Sequence, residues 1–266
     1  MPIDSPSSKL RVDLHQGVAR LLIDNGAKRN AFDLEMWRAL PALMAAIDAE
    51  PEARVVVMSG APGLPFCSGA DISEFSTVRA TSGGGRAYEQ ANVEAFEAIS
   101  ACSKPTIAAI SGFCMGGGMG LASACDLRVA QAGAAFAIPA GRLGVGYPPS
   151  AMRYVVAAVG AQRALEMFFT ARRLTAQEAL ATGFLSQVLE PESFDGAVAA
   201  LADTIAANAP LTLKAAKAAI RAAAGLPNAP SLDACEALAA QCFDSADYME
   251  GRAAFLEKRA PKFTGR

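Results

Sequence analysis

Two glycine-containing segments carry the residue types best suited to chemistry in this sequence. The first is residues 66–72 (FCSGADI), and the second is residues 104–118 (KPTIAAISGFCMGGG). In each segment an apolar strand is predicted to run into small residues and then into a helix. Helix N-termini expose backbone N–H groups with a partial positive charge, and glycine lets a ligand approach them closely. Two such amides that converge on one oxygen form an oxyanion hole, which stabilises negative charge in a transition state.

Other chemistries fit these residues less well. Each segment alone is also typical of a tight turn that packs a helix against a sheet. The spacing of the glycines matches neither the dinucleotide fingerprint nor the P-loop, and the phosphate-binding lysine is missing. The single histidine, His15, leaves little for a hydrolytic zinc site or a histidine-based triad, so we expect no metal.

Composition and charge restrict the partners and the compartment. The 266 residues are 52% hydrophobic and carry a net charge of −2, which argues against nucleic acid or an anionic membrane surface as a partner. We find no apolar run long enough to span a membrane and no secretory signal at the start. Six scattered cysteines without a CxxC pair indicate reduced, mostly buried thiols. These features together favour a cytoplasmic protein.

The predicted elements place both segments at strand-to-helix turns. We expect a disordered tail over residues 1–8, a hairpin from Leu10–His15 and Val18–Ile23, and a helix capped by Asp33 that ends near residue 49. Residues 77–86, with three consecutive glycines, are predicted to be a mobile loop. Further strands are expected at residues 54–59, 105–110 and 126–130, and further helical segments at residues 71–75, 87–100 and 116–124.

The strand–strand–helix rhythm recurs along the chain. The segments RVVVMSG and KPTIAAISG are both apolar strands that end in Ser-Gly. Stacked units of this kind predict an α/β fold with a spiral ββα core and outer helices. After residue 150 the pattern becomes mainly helical, with a linker at residues 225–230 and a helical appendage at residues 232–261. We therefore predict a core domain at residues 9–190 and a helical C-terminal domain at residues 191–266.

The two segments, in this order, resemble the enoyl-CoA hydratase/isomerase (crotonase) superfamily. FCSGADISEF is similar to its first oxyanion segment, and KPTIAAISGFCMGGGMGLASACDLRVA is similar to its signature segment. The sequence KRNA at residues 28–31, the segment FFTARRLTAQEALATGFLSQVLE and the C-terminal GRAAFLEKRAPKFTG extend the similarity to about residues 9–265. The resemblance implies an acyl-coenzyme A (acyl-CoA) substrate, no separate cofactor, and a homotrimer or dimer of trimers formed by the helical C-terminal part.

The resemblance also assigns residues to the site. It implies that the amides of Ala70 and Gly117 form the oxyanion hole, and that Tyr147 is catalytic. Asp71 alone fits a helix N-cap better than a catalytic acid, and Lys28 and Arg29 fit either a solvated loop or a contact with CoA. The substrate and CoA site implied by the resemblance consists of Lys28, Arg29, Ala31, Ser68, Asp71, Ile72, Met115, Gly116, Ala140, Leu143 and Gly144.

The sequence departs from the family where protons are moved. Hydratases of the family use two glutamates to add water across a conjugated double bond, and this chain has Gly120 and Ala140 in those places. A third acidic position of some members falls at Pro148. An oxyanion hole without this acid–base pair predicts very slow hydration and points to an atypical hydratase or isomerase that stabilises an enolate.

Two alternatives remain open at the sequence level. LGVGYPP followed by FFTARRLTAQEALATG resembles methylmalonyl-CoA decarboxylase, and loss of CO₂ forms an enolate without a base. A catalytically silent acyl-CoA-binding protein is the other alternative. Tyr147 and Arg142 are the polar groups nearest the acyl end, where a tyrosine donates to a carboxylate and an arginine pairs with it. An acid from residues 77–94, for instance Glu89, would favour an enzyme, and a wholly apolar acyl end would favour a binder.

Overall fold

Two β-sheets form the centre of the fold, which a computed structural model describes for residues 2–266. One sheet has the strand order β1-β2-β3-β4-β5-β7-β10, and the smaller sheet has the order β6-β8-β9. The strands are β1 Pro2–Ile3, β2 Leu10–His15, β3 Val18–Ile23, β4 Val55–Gly60, β5 Thr106–Ile110, β6 Phe113–Met115, β7 Leu127–Gln131, β8 Ala135–Ala137, β9 Leu174–Thr175 and β10 Gln187–Leu189.

Helices follow the strands and take over in the last third of the chain. Short 3₁₀ turns lie at Gly26–Lys28 and Ile72–Glu74. The α-helices are α1 Leu34–Ala49, α2 Ser82–Ala101, α3 Gly117–Ala124, α4 Ala140–Leu143, α5 Pro149–Val159, α6 Ala161–Thr170, α7 Ala176–Ala181, α8 Pro191–Ala206, α9 Pro210–Ala223, α10 Leu232–Phe243 and α11 Ala246–Glu257.

The repeat of the spiral is one strand in each sheet followed by a helix. Strand β5 belongs to the large sheet, β6 to the small sheet, and α3 follows; β7, β8 and α4 repeat this pattern. The turn before them has the same form, because Cys67 bridges in parallel to Cys114 of β6 between β4 and α2. Strands β3, β4, β5, β7 and β10 pair in parallel, as such crossover connections require. The predicted α/β fold with a spiral ββα core is confirmed.

Apolar side chains cover both faces of the large sheet. On one face α1, α2 and α3 pack around the buried rings of Trp37, Phe96 and Phe32. On the other face Phe194 and Val198 of α8 pack against strand residues such as Val57. Parallel strands buried on both faces read as continuous apolar runs, and VVVM at residues 55–58 is such a run. Helix α8 therefore closes the core, while the boundary near residue 190 stays a prediction.

Two sequence predictions about the N-terminal half are wrong. Residues 2–8 do not form a disordered tail, because Pro2–Ile3 pairs antiparallel with Val12 and Asp13 of β2. Met1, also assigned to the tail, lies outside the described residues. The predicted loop at 77–86 ends at Thr81, whose hydroxyl accepts from the Gly84 amide at 3.1 Å, so that α2 begins at Ser82. The glycine triplet forms the first turn of a helix that extends beyond the predicted residues 87–100.

The C-terminal part is helical, as predicted, and residues 191–261 contain no strand. The stretch predicted as a linker, residues 225–230, separates α9 from α10. The Arg54 guanidinium donates to the carbonyls of Ala206 at 3.1 Å and Phe263 at 2.7 Å, which fastens the C-terminal segment to the start of β4. Among the described helices none is by itself long and apolar enough to cross a membrane, and only the bent pair of α8 and α9 has the required length and composition.

Candidate active site

The local backbone geometry leaves the Ala70 amide without a hydrogen-bond acceptor. Ala70 forms an isolated parallel bridge with Phe32, in which the Phe32 amide donates to Gly69 O and Phe32 O accepts from the Asp71 amide, both at 2.8 Å. In such a bridge the N–H of the middle residue, here Ala70, points away from the partner strand. Within residues 2–266 the Ala70 amide has no acceptor. Ala70 is partly buried, so its unpaired amide remains available to a ligand.

The Gly117 amide is the second free donor, at the first residue of α3. Gly116 precedes it with φ 50° and ψ −113°, which turns the chain sharply into the helix. In the described chain the Gly117 amide also has no acceptor, as is normal for the first turn of a helix. A Cβ built on Gly117 would lie 2.8 Å from the Trp37 ring and 4.0 Å from Ala70 N. Glycine is therefore required here, and the two free amides are neighbours.

Ala70 and Gly117 both line one small cavity, called the inner cavity here, with a volume of about 80 Å³. Its wall comes from four parts of the chain: residues 68–79, α2, the turn before α3, and residues 139–147. The predicted site residues that line it are Ser68, Ala70, Ile72, Gly116, Gly117, Ala140, Leu143 and Tyr147. The sequence-derived segments thus meet at one place in the fold.

Other predicted site residues lie beside this cavity or apart from it. Lys28 is exposed at the rim, where its Nζ donates to Ser73 Oγ at 3.1 Å and lies 3.6 Å from Asp71 Oδ2. Arg29, in the left-handed region with φ 52°, lines a separate cleft of about 510 Å³. Ala31 is buried, Met115 does not line the inner cavity, and Gly144 lines the neighbouring cleft on its outer side.

Asp71 caps the 3₁₀ turn at Ile72–Glu74. Its Oδ1 accepts from the Ser73 amide at 2.9 Å and the Ser73 hydroxyl at 2.8 Å, so the interpretation as an N-cap is confirmed. Partial burial acts to raise the pKa of Asp71, but the Ser73 hydrogen bonds and Lys28 outweigh it and lower the pKa. This carboxylate is therefore fixed as a charged structural group, and its part in binding CoA stays a prediction.

Asn30 holds the loop at residues 28–31 in place, which the sequence did not indicate. Its side chain is fully buried, donates to Ile23 O at 2.9 Å and Pro65 O at 2.6 Å, and accepts from the Asn25 amide at 2.8 Å. Its φ of 58° is one that asparagine tolerates better than most residues. The exposed Lys28 and Arg29 are thus carried on a rigid turn.

The space beside Gly120, where the family resemblance predicts a glutamate in hydratases, is filled by the ring of Phe96. A Cβ built on Gly120 would lie 2.2 Å from Phe96 Cζ and 2.6 Å from Phe96 Cε2. Phe96 is buried and packs edge-on against Trp37, with ring centroids 5.8 Å apart. The absence of a side chain at Gly120 is therefore matched by a large side chain on α2. Ala140, by contrast, faces the inner cavity and leaves space there.

Tyr147 supplies a phenol to the inner cavity. Its ring packs edge-on against Phe168 with centroids 5.2 Å apart, and its hydroxyl lies 3.5 Å from a Cβ built on Gly116. Burial, with a further contribution from the charge of Glu89, raises the pKa of Tyr147 to about 12. The group is a neutral hydrogen-bond donor at physiological pH. Arg142 is exposed on α4 and does not line the inner cavity.

An ion pair between Arg79 and Glu89 lies opposite Tyr147. Glu89 of α2 and Arg79 line both the inner cavity and an adjoining outer cleft of about 900 Å³. Arg79 Nη2 lies 2.6 Å from Glu89 Oε1, and their side chains are only 11% and 14% exposed. Glu89 was named as an example, whereas Arg79 and Asn92 were missed. The helical spacing Glu89-x-x-Asn92-x-x-x-Phe96 would have placed all three α2 residues on one face.

The remaining structure offers no competing site of this kind. Within residues 2–266 no group of three or more His, Cys, Asp or Glu side chains is placed to hold a metal ion. A mainly apolar cavity of about 390 Å³ lies between the core and α9, lined by residues such as Arg128, Lys217 and Ile220. It contains neither free amide, so its size alone does not make it the reactive site.

Comparisons with known proteins show the family to which the chain belongs. The model of the enoyl-CoA hydratase/isomerase family matches residues 13–266. The chain is 31% identical over 265 residues to the peroxisomal Delta(3,5)-Delta(2,4)-dienoyl-CoA isomerase of Arabidopsis thaliana, covering 96% of this chain and 95% of that protein. It is 30% identical over 242 residues to the short-chain-enoyl-CoA hydratase of Clostridium acetobutylicum, covering 91% and 92%. A crystal structure of an enoyl-CoA hydratase/carnithine racemase from Magnetospirillum magneticum superimposes with a TM-score of 0.92 at 34% identity, covering 98% and 97%.

Proposed function

Because this chain belongs to the enoyl-CoA hydratase/isomerase family, we propose that it acts on acyl-CoA thioesters through an oxyanion hole formed by the amides of Ala70 and Gly117. The observation that carries the proposal is that both amides lack an acceptor and that Ala70 and Gly117 line the same inner cavity. A thioester oxygen placed between them would receive two hydrogen bonds. These bonds strengthen as negative charge develops on the oxygen, which lowers the barrier to forming an enolate.

The proposed enzyme needs no separate cofactor, since CoA is part of the substrate. Lys28 and the C-terminal Lys258, Arg259 and Lys262 are exposed cations suited to its phosphates. Ordinary hydration with two glutamates is not the proposed reaction, because Gly120 and Ala140 carry no acid and Phe96 fills the space beside Gly120. We propose instead an atypical hydratase or isomerase whose shared step is enolate formation.

A matched pair of ligands tests the oxyanion hole by calorimetry. Butyryl-CoA has a thioester carbonyl, and its butyl thioether analogue has none. Each ground-state hydrogen bond contributes about 0.5–1.5 kcal/mol, so we expect the thioether to bind about 5-fold to 100-fold more weakly. Equal affinities would show that no group on the protein holds the carbonyl oxygen. Failure of both ligands to bind would contradict the whole proposal.

A hydration assay on the same preparation tests the lack of the usual acid–base pair. Each acid–base group typically contributes about 10²–10⁴-fold. We expect crotonyl-CoA hydration at least about three orders of magnitude slower than with a relative that has both glutamates. Fast hydration would show that other groups supply both the acid and the base.

Decarboxylation is the second candidate, and Tyr147 is the observation in its favour. The phenol faces the inner cavity and stays protonated, so it can donate to a substrate carboxylate. The same cavity contains Glu89, whose charge disfavours a second carboxylate beside it unless Arg79 pairs with the substrate instead. Release of CO₂ from methylmalonyl-CoA, absent with butyryl-CoA, would favour this reaction. A protein that binds acyl-CoA but catalyses neither reaction would be a binder.

A further inference from the structure

The acyl end of the inner cavity contains an acid that is not at any of the family positions replaced by Gly120, Ala140 and Pro148. Glu89 projects from α2 rather than from α3 or the turns that follow it. It shares the inner cavity, of about 80 Å³, with Ala70 and Gly117. In so small a cavity the Glu89 carboxylate lies close to any acyl group bound there.

Helix α2 carries both Phe96, which fills the space beside Gly120, and the carboxylate of Glu89. Phe96 occupies the space that a side chain at residue 120 would need. Glu89 lies seven residues earlier, two helical turns along the same face, and Asn92 lies between them. One helix face thus fills the space beside Gly120 and presents the Glu89 carboxylate to the inner cavity.

The surroundings of Glu89 allow a charged, usable carboxylate. Oε1 accepts from Arg79 at 2.6 Å, whereas Oε2 has only a 3.5 Å contact with Asn92 Nδ2. Arg79 is fixed between two rings, with its guanidinium carbon 4.5 Å from the Phe75 centroid and 4.8 Å from that of Tyr88. Burying a carboxylate beside a paired, immobilised cation costs far less than burying it alone. Oε2 is therefore the oxygen left free to take a proton.

Asn92 adds an independent sign that a ligand belongs here. Its Oδ1 is buried and has no hydrogen-bond partner within residues 2–266, and its side chain lines the inner cavity. The residue as a whole is 6% exposed. An unpaired buried acceptor costs free energy, so a donor on a bound molecule would restore its hydrogen bond.

We propose that Glu89 is the base that moves the α-proton of the acyl thioester, with Arg79 as the residue that positions it. The inference rests on the proposed function of the oxyanion hole. The α C–H bond breaks and its proton passes to Glu89 Oε2. The C–H electrons form the C–C double bond of the enolate, and the carbonyl π electrons move to the thioester oxygen between the Ala70 and Gly117 amides. Return of a proton from Glu89 reverses the step, so no oxidant or co-reactant is needed.

Exchange of the α-hydrogens of butyryl-CoA in D₂O tests this step without assuming the final product. We expect the wild type to incorporate deuterium at the α-carbon, as followed by mass spectrometry, and Glu89→Gln to slow incorporation by about 10²–10⁴-fold. Glu94→Gln is the matched control, because Glu94 is exposed on the same helix and lies outside the inner cavity. It should exchange at the wild-type rate.

The pH profile distinguishes a base and its positioning residue from groups with a purely structural role. Burial raises the pKa of Glu89, and Arg79 opposes that rise. Exchange should therefore increase as pH rises through the Glu89 pKa, and Arg79→Met should move the midpoint to higher pH, with Arg79→Lys partly restoring it. Besides Arg79, the ionisable groups facing this region are Tyr147 across the cavity and Arg86 in the outer cleft. Tyr147 stays neutral over this range.

The outcomes separate this inference from the function on which it rests. Binding of butyryl-CoA without wild-type exchange, or exchange that Glu89→Gln leaves unchanged, overturns the role of Glu89 but not the oxyanion hole. Loss of binding in the wild type overturns both. If Glu89→Gln does not fold, the pH profile of exchange in the wild type still tests the proposal. Exchange that is independent of pH across the acidic range contradicts a carboxylate base.

Discussion

At the scale of single residues, Gly120 and Phe96 form a complementary pair. A glutamate at 120 would have to enter space that the Phe96 ring already occupies at 2.2 Å. Ala140 differs, because it lines the inner cavity and has space before it. The two positions at which the resemblance predicts the family glutamates therefore differ: the space beside residue 120 is occupied, and the space beside residue 140 is open.

We expect Gly120→Glu/Ala140→Glu to destabilise the protein rather than restore hydration. Overpacking against Phe96 costs about 1–3 kcal/mol, and a buried carboxylate without a partner adds to this. Adding Phe96→Ala should relieve the clash, and only the triple variant should hydrate crotonyl-CoA faster than the wild type. Urea unfolding and the hydration assay provide the measurements, with Ala140→Glu alone as the control that introduces a carboxylate without the clash against Phe96. A stable, active double variant would show that Phe96 moves aside easily.

At the scale of elements, the start of α2 depends on a close approach between Gly84 and the preceding loop. A Cβ built on Gly84 would lie 2.2 Å from Val78 O, next to Arg79. Gly85, one position on, has no atom within 4 Å of such a Cβ. Position 84 thus has no space for a side chain, whereas position 85, in the same helical turn, does.

Gly84→Ala and Gly85→Ala should therefore change stability in opposite directions. The first forces the backbone at Val78 to shift and should cost about 1–3 kcal/mol of unfolding free energy. The second replaces glycine by alanine in an open helical position and should gain about 0.5–1 kcal/mol. Urea unfolding of both variants gives the comparison. Equal effects would indicate that the Gly84 contact with Val78 O is not maintained in solution.

Much of the element pattern follows from local sequence. The hairpin of β2 and β3 follows from alternation, and the start of α1 follows from Asp33, which accepts from the Met36 amide at 2.9 Å. The order of strand, glycine turn and helix around Gly117 was likewise predictable. Strand Pro2–Ile3 was not, since two residues carry no periodicity and become a strand only by pairing with β2.

The contents of the candidate site were less predictable than its framework. Ala70 and Gly117 come from segments with a recognisable strand–turn–helix form, and the structure brings them to one cavity. The contact of Phe96 with Gly120 and the pairing of Arg79 with Glu89 depend on how α2 lies against α3 and the preceding loop. Such packing joins segments without a shared local pattern, so neither contact is visible in the sequence.

At the scale of the whole molecule, the C-terminal helices leave apolar side chains without cover. Phe255 and Leu256 of α11 are 83% and 78% exposed, and Phe243 of α10 is 66% exposed. Phe169, at the end of α6, adds a further exposed ring at 80%. Apolar surface of this extent is typical of an interface between subunits.

We predict a homotrimer or a dimer of trimers held together through this surface. Light scattering should give three or six times the chain mass at micromolar concentration. Phe255→Asp should shift the protein towards smaller species, because a charge replaces an apolar side chain in the interface. Glu236→Lys, at an exposed polar position of α10, is the control for a charge change alone. A wild-type monomer at that concentration would rule out the assembly.

The single tryptophan of the chain, Trp37, lies against Gly117, whose amide is one of the two proposed oxyanion donors. Its indole is fully buried, donates to Tyr88 Oη at 3.1 Å and has no other tryptophan to obscure its signal. The fluorescence of the protein therefore originates a few ångströms from the Gly117 amide. Charge that develops on a bound oxygen there acts on the excited state of that indole, so the protein contains its own optical reporter for the occupied site. Stopped-flow emission can time ligand arrival without any added dye.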